Sequence, residues 1–122
     1  MYFRKVYFLK GEIKVAKLER VLSGDFDQIL SKIQREILSG SISASLEDSS
    51  DFRVGNSRCS VRVFERYSST GGNRVSLSVT FFQVDVGSIR ISAITSGGSQ
   101  AMFFKMNTFG EEAFLDKLRK IL

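Results

Sequence analysis

Apolar residues recur along this chain with two different periods, and the change of period marks the change of architecture. Between residues 26 and 38, Phe26, Ile29, Leu30, Ile33 and Ile37 fall on one helical face, with Lys32, Arg35 and Glu36 opposite. Asp25 stands at the N-cap with Gln28 three residues on, and Gly40 stands where a left-handed C-terminal residue is wanted. From 41 to 106 the period is two. Ile42, Ala44 and Leu46 alternate with serines, and Cys59, Val61 and Val63 alternate with Arg58, Ser60, Arg62 and Phe64. Val75, Leu77, Val79 and Phe81 alternate with Arg74, Ser76, Ser78 and Thr80; Ile89, Ile91 and Ala93 alternate with Arg90, Ser92 and Ile94. Each segment reads as a half-buried antiparallel strand. Turn chemistry at Gly55-Asn56, Gly71-Gly72-Asn73, Gly87-Ser88 and Gly97-Gly98 connects them. After Phe81 the phase slips, since Phe82, Val84 and Val86 have the opposite parity, which predicts a bulge or a sheet edge there.

Residues 100–106 read as a returning strand. Thr108 and Glu111 then form a capping box that opens a helix over 109–121, with Phe114, Leu115, Leu118, Ile121 and Leu122 as its apolar stripe. Upstream, residues 2–9 and 13–22 read as two strands of a hairpin turning at Lys10-Gly11; the competing reading makes residues 1–12 an N-terminal extension. The predicted architecture is a single α+β domain over 1–122. An antiparallel meander of five to seven strands has two helices, about 26–38 and 109–121, packed on one face.

Composition supports one core and narrows the chemistry. The 122 residues are 43% hydrophobic, with eleven Phe and no Pro, which is too apolar for wholesale disorder and offers no linker between domains. No stretch approaches the roughly 20 apolar residues of a membrane span. The chain has no His and a single cysteine, Cys59, so His-based triads and intramolecular disulfides are excluded and a reducing cytoplasm is the expected compartment. Its start, MYFRKVYFLKGE, is broken by Arg4, Lys5 and Lys10 and does not read as a secretory signal. The acids Glu47, Asp48 and Asp51 lie in a serine-rich segment (EDSSD) that reads as a turn, without the spacing of a calcium loop. Glu111 and Glu112 suit a helical first turn. No catalytic residue, cofactor site or metal site is expected, and the chain is read as a non-enzyme.

Candidate binding chemistry lies on the meander. If Val61, Val63, Val75, Leu77, Val79, Ile89 and Ile91 face the helices, the opposite face presents Arg58, Arg62, Phe64, Arg66, Arg74, Ser76, Ser78, Phe82, Arg90 and Ser92. Arginines permit bidentate contact with carboxylate or phosphate and stacking on rings. This face is read as a surface for self-association into a homodimer or for a partner. An anion or single-stranded nucleic acid is the weaker alternative, because the net charge of +5 is not gathered into a basic tract. Cys59 takes the inward parity of a small buried hydrophobe. A second alternative is a small apolar ligand in a cavity between the sheet and the C-terminal helix, lined by Met102, Phe103, Phe104 and Met106. The loop Ser96-Gly97-Gly98-Ser99 is a candidate anion nest, without a phosphate-loop motif.

The segments GSISASLEDSSDF, GNRVSLSVT and SAITSGGSQAMFFKMNTFGEEAFLDK resemble a family of small bacterial proteins known only as a domain of unknown function. The resemblance covers roughly 13–122 and implies a short, single-domain cytoplasmic protein. It carries over no activity, cofactor or catalytic residue. Residues 1–12 precede the family's usual start.

Overall fold

Cross-strand register decides which side of the sheet each residue occupies. A computed structural model describes residues 3–10, 13–40, 43–67 and 74–97, with residues 3–10 and 13–16 described by backbone alone. Strands β1 (Phe3–Lys10) and β2 (Ile13–Leu22) form an antiparallel hairpin, followed by helix α1 (Phe26–Ser39). Strands β3 (Ser45–Val54), β4 (Ser57–Tyr67), β5 (Arg74–Gln83) and β6 (Ile89–Gly97) come next. All six join one antiparallel sheet in the order β1-β2-β6-β5-β4-β3, so β6 closes against β2 and, among the described strands, the edges are β1 and β3.

Helix α1 forms where the 3.6-residue pattern predicts it. The Asp25 carboxylate accepts a hydrogen bond from the Gln28 amide at 2.9 Å, satisfying one of the donors a helix start leaves open. Phe26, Leu30, Ile33 and Ile37 are buried against the sheet. They meet Leu18 of β2, Phe64 of β4, Val75, Leu77, Val79 and Phe81 of β5, and Ile89, Ile91 and Ala93 of β6. Phe26 and Phe81 meet edge to face at 6.2 Å. The C-terminal expectation needs correction: Gly40 is right-handed (φ −82°), donating its amide to the Ile37 carbonyl at 3.3 Å, so Gly40 is not the left-handed residue expected there.

Strand β4 is reversed relative to the sequence reading. Phe64, an even-numbered residue, lies opposite Leu77, an odd one. Partners directly across a ladder share a face, so parity inverts between β4 and β5. Phe64 is 1% exposed and belongs to the core. Arg58, Ser60, Arg62 and Arg66 therefore face the helix side, while Cys59, Val61 and Val63 face away. Strands β5 and β6 keep the expected sides, because Phe81 pairs with Ile91 and Val79 with Ala93.

Two further expectations are corrected. The slip after Phe81 is a strand end rather than a bulge: β5 stops at Gln83, and Val84–Gly87 form a tight turn closed by the Gly87 amide on the Val84 carbonyl at 3.0 Å. Asp85 is left-handed there (φ 53°), a conformation its short polar side chain tolerates, and its amide donates to Ser57 Oγ at 3.1 Å. The irregular register lies in β3, between Leu46 and Asp48. The EDSSD segment is itself part of β3 and not a turn. At a sheet edge only one side of the backbone must pair, so acids and hydroxyls can occupy both faces in water. The expected Gly55-Asn56 turn joins β3 to β4, with Gly55 at φ +59° as this two-residue hairpin requires. The expected strand over 100–106, the helix over 109–121 and the Gly71-Gly72-Asn73 and Gly97-Gly98 turns lie wholly or partly outside the described residues, as does the cavity expected beneath that helix. Among the described residues no helix is long and apolar enough to cross a membrane.

Candidate functional site

The ten residues read as one face divide between two. Arg74, Ser76, Ser78, Phe82, Arg90 and Ser92 share the open side of the sheet; Arg58, Arg62, Phe64 and Arg66 lie on the side of α1.

The helix-side arginines are occupied. Arg58 grips the Asp27 carboxylate with both terminal nitrogens, at 3.2 and 2.8 Å, and its guanidinium carbon sits 3.9 Å from the Phe26 ring centroid. Arg62 donates to Gln34 Oε1 at 3.2 Å and to its own strand's Val61 carbonyl at 3.0 Å, and pairs with Asp51 at 3.0 Å. Ser60 donates to the same Asp51 oxygen at 2.6 Å. The hydrogen bond from Arg58 holds the Asp27 carboxyl below its ordinary range, and the bonds from Ser60 and Arg62 do so for Asp51. Burial pushes the Arg66 guanidinium down. This band fastens α1 and β3 to β4, and its arginines are not presented to a nucleic acid. The corrected side of β4 thus separates three of the five arginines from Arg74 and Arg90.

The open face is best described in rows across the ladder. One row runs Phe52, Cys59, Phe82, Arg90, Val21; the next Ser50, Val61, Thr80, Ser92, Glu19; the third Asp48, Val63, Ser78, Ile94, Lys17. Beyond them Ser76 lies between Glu65 and Ser96, and Arg74 pairs with Glu65 while lying 5.7 Å from the Tyr67 ring centroid. Cys59 is therefore a half-exposed neighbour of two phenylalanines and not a core residue. Phe52 (63% exposed), Val54, Tyr67, Phe82 and Ile94 all project from this face, with Val84 and Val86 in the adjoining turn. Among the described large exposed apolar residues only Leu46, opposite Phe64, belongs to the helix side.

On its β2–β6–β5 half this face dips into a depression of about 160 Å³, walled by Val21 and Phe82, floored by Thr80 and Ser92, and flanked by Glu19 and Arg90. The exposed Arg90 guanidinium makes no hydrogen bond or ion pair with a described residue. Glu19 has Lys17 at 3.7 Å. Glu19 and Val21 were missed because the sequence shows neither that β2 lies beside β6 nor how the two align; Thr80, on β5, shares the outward parity of Ser78 and Phe82. The candidate anion loop is corrected in part: Ser96 and Gly97 lie opposite Ser76 and Val75 within the ladder, which leaves no nest of convergent amides at these two, and Gly98 and Ser99 lie outside the described residues. Among the described residues no three acids or thiols converge as metal ligands.

These features define an α+β domain whose antiparallel sheet carries an amphipathic helix on one side and, among the described residues, has nothing packed on the other. The chain belongs to DUF6054, a family of unknown function, whose pattern matches residues 15–122, and β1 lies upstream of the match. Among solved structures it is similar to PA94 of Pseudomonas aeruginosa, a protein of unknown function, with a TM-score of 0.59 at 9% identity over 78% of this chain and 68% of that one. Fainter likenesses are to Mycobacterium tuberculosis LpqN, involved in cell envelope biogenesis (TM-score 0.45, 11% identity, 82% of this chain and 60% of that one), and to the Saccharomyces cerevisiae Ran-binding protein Mog1p (0.45, 7%, 98% and 94%). At these identities the PA94 likeness concerns the fold alone, and the other two carry no argument. No curated protein matches the chain.

Proposed function

We propose that this chain is a non-enzymatic module that pairs with a second copy of itself through the open face of its sheet. The observation that carries this reading is the orientation of β4, which turns Cys59, Val61 and Val63 away from the helix to lie beside Phe52 and Phe82. A strand that spends its helix-facing positions on arginines and its outward ones on apolar side chains leaves the apolar side to be covered by something else. Charge over β2–β6 allows a like partner: at the paired open-face positions of these five strands Lys17, Arg74 and Arg90 balance Glu19, Asp48 and Glu65, while β1 adds Arg4 opposite Glu19 and Lys10 opposite Ile13 at the edge, so two copies can meet over β2–β6 without like-signed fields. Six strands about 4.8 Å apart and roughly ten residues long give a face of about 25 by 30 Å, close to the roughly 800 Å² per partner of a standard interface. Two such faces would stack about 10 Å apart about a two-fold axis. The absence of His and the single half-exposed cysteine support a non-catalytic role in a reducing cytoplasm, bacterial by the family resemblance.

Light scattering over a concentration series tests the proposal. A dimer mass at high micromolar concentration that reverts to monomer in Phe52→Ser and Val61→Lys is the expected result. A clean monomer throughout refutes it.

A further inference from the structure

We infer that the depression between β2, β6 and β5 is a binding site for a small monocarboxylate with a compact apolar body, of about the size of benzoate. Three observations converge on that class. The Arg90 guanidinium is exposed at the rim and, among the described residues, makes no bond, so its planar fork can take the two oxygens of a carboxylate. Phe82 and Val21, its cross-strand row neighbours through Arg90, form apolar walls on either side of that fork. Thr80 and Ser92, directly opposite each other in the next row, add two half-buried hydroxyls that can donate to the anion or accept from a ligand hydroxyl.

Size and charge set the limits. A space of about 160 Å³ is close to the roughly 150 Å³ in which an engineered apolar cavity holds benzene, so one ring or a short branched chain fills it. Glu19 lies across the mouth with Lys17 3.7 Å away, which nearly neutralises that side; Arg20 also lines the depression but is engaged by a partner of its own, so Arg90 supplies the charge a ligand meets. One positive charge selects one negative charge, and the Glu19 carboxylate opposes a second. Inorganic phosphate therefore meets both a repulsive carboxylate and apolar walls it cannot use.

This site lies within the face assigned above to self-association, so a second copy and the ligand would compete for it, and its ligand chemistry is a property of the monomer. Amide chemical shifts of the full chain, titrated with benzoate, benzyl alcohol and inorganic phosphate, provide the test. Benzoate is expected to give saturable shifts centred on Val21, Thr80 and Ser92, with affinity about tenfold or more weaker in Arg90→Gln, the scale of one lost charge-assisted bond. Benzyl alcohol is expected to bind correspondingly weakly, and phosphate to leave these amides unmoved. No saturable benzoate shift, undiminished binding in Arg90→Gln, or a phosphate response equal to that of benzoate overturns the inference. Repeating the titration in Phe52→Ser, which removes only the dimer contact, separates the two readings: a monomer that still binds benzoate leaves this site standing.

Discussion

Replacing Phe64 by Ala tests which way β4 faces. Phe64 is essentially inaccessible, lying between Leu46 and Leu77 on the side of the sheet that α1 covers. Removing a buried ring forfeits its transfer free energy and leaves a void the neighbours only partly fill, at a cost of about 3–5 kcal/mol. A chain of 122 residues unfolding with about 2.1 cal/mol/K per residue has an entropy near 0.26 kcal/mol/K, so each kcal/mol lowers Tm by about 4 °C. Phe64→Ala should therefore melt about 12–20 °C lower. Val63→Ala, one residue away and half-exposed on the open face, should lose about 1 kcal/mol or less, hence under about 5 °C. Thermal melts followed by circular dichroism at two protein concentrations supply the comparison, the second concentration separating any dimer contribution. Because Phe64→Ala can exhaust a total stability of about 5–15 kcal/mol, Phe64→Leu serves as the milder companion, expected at about half the loss. If the valine substitution costs as much as the phenylalanine one, or Phe64→Ala is neutral, the assignment of faces is wrong.

Other outcomes follow from local geometry. Asp25→Ala, which removes the cap on the Gln28 amide, should cost about 1 kcal/mol in urea denaturation, with Asp25→Ser restoring most of it. Gly55→Val places a branched side chain at φ +59° and should cost at least about 1–2 kcal/mol from backbone strain alone, since the space around a Cβ there is open; Gly55→Asn should cost less. Asp27 and Asp51 have folded-state carboxyls held below their unfolded values, so their contribution is present above about pH 4 and is lost as pH falls through the lower folded values. Both side chains are largely solvent-exposed, which limits each pair to about 0.5 kcal/mol. Between neutral pH and about pH 2.5, the Asp27→Asn/Asp51→Asn variant should lose correspondingly less stability than the natural chain, and equal losses would count against these pairs.

Elements were legible in the sequence wherever one local signal sufficed. Asp25, Gln28 and the Phe26–Ile37 stripe locate α1, and the odd-numbered apolar runs of β5 and β6 give both the strands and their buried sides. The side taken by β4 was hidden because both of its alternating sets are of mixed polarity. One holds Cys59, Val61 and Val63; the other holds a single Phe64 among arginines whose aliphatic stems lie along the core edge while their heads find Asp27, Asp51 and Gln34. Alternation within a strand is a local property, whereas the side it buries depends on pairing with the next strand, and the β4–β5 connection does not declare that register. The same limit hid half of the depression. Phe82, Arg90 and Ser92 could be grouped from parity within the meander, but Glu19 and Val21 reach them only because β2 docks beside β6, a contact between strands some 70 residues apart. Strand β3 was misread because serine and aspartate favour turns in isolation, and an edge position relaxes that preference.

Strand β3 has a consequence of its own. Nearly every residue along it is open to water, and it is held by a ladder on one side only, so its amides should exchange with solvent at lower free-energy cost than those of β5 or β6. Yet it supplies Phe52, the outermost ring of the apolar stripe. Any companion molecule that grips this ring must also suppress the fraying of the strand beneath it, and part of its affinity is spent on that ordering. Stiffening the β3–β4 hairpin would then tighten association without altering one atom of the contact, and loosening it would weaken association from a distance.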